Sequence, residues 1–298
     1  MLTRSEATIP KFKELGVTPL LGSLDSFELL TQAAIGADVV LQLADADHLP
    51  AVKALVKGLN TKDGKRRIYI HTSGTGVLRD ESMGNYASEK IYSDLDMESI
   101  HALPITQPHK DVDAFLFKNN QNFESIIVCP PTIYGLGSGP FNRHSVQIPF
   151  MIRGYLKNGK ASIVGKGLNI WGNVHVDDLA NFFELLVEKA LEGKADTGKN
   201  GWYFCTSGEH AWGDVVAKIA EELYKKKAIS SSNVTEFTKE ELETDFGKFA
   251  VLAIGGNSRS KSDRARQLGW KPDERNPNIF ETIEDDVKLI LEKEGFAQ

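Results

Sequence analysis

Three side chains able to work on a carbonyl or an alcohol fall within eighteen residues: Ser73, Tyr86 and Lys90. If residues 86–90 are helical, the tyrosine and lysine share a face, and a nearby ammonium lowers the phenol's pKa toward that of a usable acid. A serine hydroxyl beside them would polarise a carbonyl. The combination suggests carbonyl reduction or its reverse. Ser73 is delivered by a strand, because Ile68, Tyr69 and Ile70 are β-branched or aromatic and Thr72-Ser73-Gly74 stops the run. In an open parallel sheet, ligands bind in the crevice beyond the carboxyl ends of such strands.

The elements needed to hold that strand alternate along the chain. A short helical stretch from Ile9 to Leu15 precedes a strand at Val17–Leu21, and the turn Gly22-Ser23-Leu24-Asp25 enters a helix with Phe27, Leu30 and Ala34 on one face. Ala37–Ala44 is a second apolar strand, and His48–Leu59 a helix with Pro50 in its first turn. Helical periodicity resumes from His109 to Asn119, and Ser125–Pro131 is again a strand. Later amphipathic helices carry Leu179, Phe183 and Leu186, then Val216, Ile219 and Leu223, then Ile283, Val287 and Ile290. Strand alternating with helix predicts a parallel sheet covered on both faces.

Composition narrows the function. At 298 residues, 41% hydrophobic and 26% charged, the chain reads as one covalent unit with two lobes, and no window approaches the ~20 apolar residues of a membrane span. A net charge of −6 with no long basic run argues against a nucleic-acid partner. Cys129 and Cys205 have neither a CxxC neighbour nor a metal-ligand spacing, so no metal site and no disulfide framework are expected. Without an apolar secretory segment the expected compartment is the cytoplasm.

In order, the chain carries Arg4-Ser5, Gly22-Ser23-Leu24-Asp25, Thr72-Ser73-Gly74, Pro130 through Tyr134-Gly135, Val174-His175-Val176-Asp177-Asp178, and Ser260 through Pro272. Over nearly its whole length it resembles the extended short-chain dehydrogenase/reductase family, in the epimerase/dehydratase-like or atypical branch. The resemblance implies an α/β fold with a Rossmann-like doubly wound parallel sheet in residues 1–165, taking in parts of 166–200. A small mixed α/β substrate lobe in 166–298 would be interleaved with it. It implies an NAD(P)-dependent oxidoreductase or epimerase-like protein acting on a small hydroxyl or carbonyl compound, and a homodimer is one arrangement seen in the family. Arg4, Ser5, Asp25, Ala44, Thr72, His109 and Pro130 are the cofactor contacts it implies. Arg4 favours NADP over NAD, since arginine after the second strand can pair with a 2′-phosphate.

Departures from the pattern leave alternatives open. The family's opening strand and Gly-x-x-Gly-x-x-Gly turn are not found. Because Leu2–Ser5 reads as the end of the second strand, roughly 30 residues of a first βα unit are expected to be missing, as in a shortened or degenerate protein. The thirteen residues from Ser73 to Tyr86 suit Tyr86 and Lys90 as the catalytic pair, yet Lys90 lies forty residues before Pro130 and His109 only twenty-one. The second register places Ile105 and His109 where tyrosine and lysine belong, and makes the protein a non-catalytic NAD(P)-binding sensor or interaction protein. Thr75 competes with Ser73 as the hydroxyl. Outside any ligand role, Asp25 would serve as a helix N-cap, and Arg143 and His144 are candidate substrate contacts.

Overall fold

Parallel strands cannot be joined by tight turns, so each needs a crossover, and the N-terminal alternation supplies them as helices. A computed structural model describes residues 1–293. Two units are distinguished, each assembled from three stretches of chain. One comprises Met1–Ser73, Pro104–Val128 and Ala190–Trp202; the other comprises Gly74–Leu103, Cys129–Lys189 and the residues from Tyr203 onward.

In the first unit, Val39–Gln42, Ile68–Thr72 and Glu124–Cys129 run parallel, with Leu41 opposite Ile70 and Ile70 opposite Ile126. Ile68, Tyr69, Ile70 and His71 of the central strand are all buried, as a strand covered on both faces must be. Leu2–Thr3 and Leu20–Leu21 form a separate parallel pair, shorter than the strand expected over Val17–Leu21. The helices Phe27–Ile35 and Leu49–Leu59 pack closely at Gly58, where a Cβ would overlap the Thr31 carbonyl oxygen and lie 2.9 Å from the Ala34 methyl. Glycine is what permits that approach. The Thr31 hydroxyl donates to the Ala54 carbonyl at 3.0 Å across the same contact.

The second unit contains the strands Thr132–Tyr134, Ile170–His175 and Gly208–Ala211, the last antiparallel to its neighbour. Its core lies among the helices Gln147–Asn158, Trp212–Lys225 and Ile279–Lys293, whose expected stripes Val216, Ile219, Leu223 and Ile283, Val287, Ile290 are buried together. Trp171 and Trp212 are also residues of this core. No described helix is long and apolar enough to cross a membrane. Ile283→Ala would leave a cavity among these helices and is expected to cost about 2–5 kcal/mol, read as a lower midpoint in urea unfolding at unchanged slope.

Candidate functional site

Three strand ends of the first unit open on one cavity of about 570 Å³. Thr3 and Arg4 follow the first strand, Ser23, Leu24 and Asp25 follow the second, and Ala44, Asp45 and His48 follow the third. Of the cofactor contacts implied by the sequence, Arg4, Asp25 and Ala44 therefore line a single space. Ser5 is not among the lining residues; its carbonyl accepts the Thr8 hydroxyl at 2.7 Å and starts a short helical turn. His48 caps the Leu49–Leu59 helix, its Nδ1 accepting from the Ala51 amide at 3.1 Å, which leaves Nε2 to meet the Asp25 carboxylate at 3.2 Å. Asp25 is thus held by an imidazole and does not cap its helix, where Ser26 occupies the N-cap position.

At the end of the central strand, Ser73 is 4% exposed and donates its hydroxyl to Asp113 Oδ2 at 3.0 Å. Asp113 Oδ1 has no partner, and burial pushes the carboxyl up to about 8, with the Ser73 hydrogen bond and the Lys110 charge pulling the other way. The neighbouring Thr72 hydroxyl is buried without a partner. His71, beneath it, is driven down to about 4 by burial. His109 sits at the entrance of the Lys110–Lys118 helix with its backbone in the left-handed region, φ 67°, and its Nδ1 is 2.6 Å from Asp47 Oδ1. Sequence reasoning named Ser73, Thr72 and His109 but missed Asp113 and Asp47. The spacing of four between His109 and Asp113 was the available signal for the first.

The premise for Tyr86 and Lys90 does not hold, because residues 85–91 form no helix. Side chains from residues 257–259 take the backbone groups a helix would pair internally. Asn257 Oδ1 accepts the Ser88 amide at 3.0 Å, Asn257 Nδ2 donates to the Tyr86 carbonyl at 3.0 Å, and Arg259 donates to the Ser88 carbonyl at 2.7 Å. Tyr86 is 50% exposed, and the Asp80 carboxylate raises its phenol pKa, opposite to the shift expected from Lys90. The Lys90 ammonium lies over the Tyr92 ring, 4.3 Å from its centroid. Thr75 has a fixed role within the second unit: its hydroxyl accepts from Trp171 Nε1 at 3.1 Å and its carbonyl from the Ser258 hydroxyl at 2.6 Å. Pro130 is buried there, its carbonyl bound by the Thr75 amide at 2.9 Å. Arg143, His144 and Ser145 line a separate cavity of about 300 Å³ in that unit, beside Gly135 and Gly137.

No protein-family model matches the chain. It is similar to the oxidase ucsJ of Acremonium sp., 29% identical over 297 residues that cover 93% of this chain and 84% of that protein. An uncharacterized protein of Schizosaccharomyces pombe is 27% identical over 285 residues, covering 91% and 85%. Among solved structures, the dTDP-glucose 4,6-dehydratase DesIV of Streptomyces venezuelae, with NAD bound, superposes at a TM-score of 0.61 with 15% identity over 98% of this chain and 85% of that one. The UDP-glucose 4-epimerase of Thermotoga maritima, with UDP-glucose, gives 0.58 and 14% over 96% and 95%. The chain has the Rossmann-like fold of the NAD-dependent epimerases and dehydratases. The resemblance read from the sequence is thereby confirmed as one of fold.

Since its pKa is raised on folding from 3.8 to about 8, buried Asp113 keeps a proton that the unfolded chain releases. Its contribution to stability is full below the unfolded value and is lost as pH rises through the folded one. Asp113→Asn should flatten this part of the pH dependence, so that urea unfolding at pH 5 and pH 8 differs less in the variant than in the wild type.

Proposed function

We propose that the first unit binds a nicotinamide dinucleotide in its strand-end cavity and that the protein is an oxidoreductase or epimerase-like enzyme acting on a small hydroxyl or carbonyl compound. The observation that carries this reading is the convergence of Arg4, Asp25 and Ala44, from three separate strand ends, on one cavity. Its donors and acceptors suit the ligand. Arg4 is exposed and has no hydrogen bond or ion pair among the described residues, which leaves its guanidinium for a phosphate, while Asp25 offers an acceptor and Leu2, Leu24 and Ala44 an apolar surface. The structural neighbour that holds NAD and the relative named as an oxidase support the same chemistry.

In this reading Arg4 pairs with a 2′-phosphate and makes NADP the preferred form, Asp25 accepts from the adenosine half, and the Thr72 hydroxyl supplies an unpaired group at the strand end. Such a dinucleotide supplies hydride transfer when bound. A second reading, a dinucleotide-binding sensor without catalysis, is favoured by the exposure of Tyr86 and its raised pKa.

Calorimetric titration with NADP and with NAD tests the proposal. Micromolar binding is expected, with NADP tighter. Arg4→Ala should weaken NADP by about 10- to 100-fold, the worth of a charged hydrogen bond, and leave NAD nearly unchanged. A cooperatively folded chain that binds neither overturns the reading.

A further inference from the structure

We infer that the His109 imidazole, oriented by the Asp47 carboxylate, exchanges the proton with the substrate's alcohol or carbonyl oxygen. The inference rests on the dinucleotide reading above and assigns the acid/base step that the sequence left between Tyr86 and no residue at all.

Five observations support it. The His109 backbone is left-handed, a conformation that residues other than glycine adopt rarely and that gathers at functional sites. Its Nδ1 is bound by Asp47 at 2.6 Å, so Nδ1 carries the proton toward the carboxylate and Nε2 keeps its lone pair. Nε2 has no hydrogen-bond partner among the described residues, and the side chain is 22% exposed. Asp47 belongs to the same turn as Ala44, Asp45 and His48, which line the strand-end cavity. One helical turn after His109, Asp113 receives the Ser73 hydroxyl and ties the start of that helix to the end of the central strand. A mere tether would not need the Asp47 partner, which is 61% exposed and worth little to stability in water.

A carboxylate that fixes one imidazole nitrogen and leaves the other to move protons is an established acid/base arrangement. In reduction, the Nε2–H bond of the imidazolium breaks, the proton joins the carbonyl oxygen, and the neutral imidazole takes a new proton from water. The hydride that balances the reduction comes from the reduced dinucleotide. Oxidation of an alcohol runs the same transfer backward. The Asp47 carboxylate faces the imidazole from the loop after Val39–Gln42, and His71 on the central strand, which interacts electrostatically with His109, is kept neutral by burial.

His109→Asn, whose side chain tolerates the left-handed backbone, and Asp47→Asn test the pair. In the unliganded protein, nitrogen-15 NMR should show the neutral His109 ring protonated on Nδ1, and Asp47→Asn should raise the share of the Nε2-protonated tautomer through loss of the carboxylate partner. With NADPH and NADH as reductants and 9,10-phenanthrenequinone and methylglyoxal as probes, His109→Asn should lower turnover on the order of 10²-fold or more while calorimetric dinucleotide affinity stays within about threefold. Full turnover by His109→Asn, loss of turnover in Tyr86→Phe alone, a His109 tautomer indifferent to Asp47, or a dinucleotide-binding wild type that reduces neither probe would each overturn the assignment. Failure of the wild type to bind either dinucleotide overturns the earlier reading and this one with it, which separates the two failures.

Discussion

The parallel ladder of the first unit is the constraint on which the site depends. Buried strands must pair their amides and carbonyls, and a parallel register that sets Val40 against Tyr69 and Ile70 against Ile126 makes the strands finish at one edge. Whatever residues follow the strands are therefore delivered to that edge together. Here they are Ala44 and Asp45 after one strand and Thr72 and Ser73 after the next. The crossover into the third strand is the Lys110–Lys118 helix, which starts at the same edge with His109 and fixes Asp113 to Ser73. A helix that begins there also presents unpaired amides and the positive end of its dipole, a setting favourable to negative charge.

In three buried aspartates desolvation is the largest cause of a raised carboxyl pKa, and the rise is greatest where enclosure is complete. Asp94 accepts the amides of Arg264 and Phe204 at 2.8 and 3.0 Å, and its carboxyl rises only to about 6. Asp286 has no hydrogen-bond partner on either oxygen; it lies 3.7 Å from the His144 ring and rises to about 7. Asp113 is fully enclosed, has one hydroxyl donor and rises furthest, to about 8. Amide donors favour the charged form and offset desolvation, whereas one neutral hydroxyl does so less. The Asp94 contacts hold the Ser260–Pro272 motif, which thus has a structural role within the second unit: the Ser93 hydroxyl also binds Asp263 at 2.6 Å.

Much of the fold was legible because it rests on local rules. Apolar runs marked the strands at 39–42, 68–72 and 124–129, and periodic stripes marked the helices at 49–59, 110–118, 212–225 and 279–293, with boundaries moved by a few residues. The strand expected at 17–21 shrank to Leu20–Leu21, since only those two residues meet a partner, Leu2–Thr3. Arg4, Asp25 and Ala44, named from motif order, line one cavity. Tyr86 and Lys90 misled because a spacing of four has meaning only on a helix, and residues 257–259, far away in sequence, hold that segment open.

By itself the sequence determined the α/β class, the placement of the main elements and the hydroxyl, imidazole and guanidinium groups available to a site. These follow from side-chain shape, hydrophobic period and chemical type, which each residue carries wherever it sits. Tertiary structure alone decided which polar groups meet: Asp113 with Ser73, Asp47 with His109, Asp25 with His48. Those pairings depend on strand register and on the residue at which each helix begins. A shift of one position in either would turn the side chain to another face, and no local pattern encodes that choice.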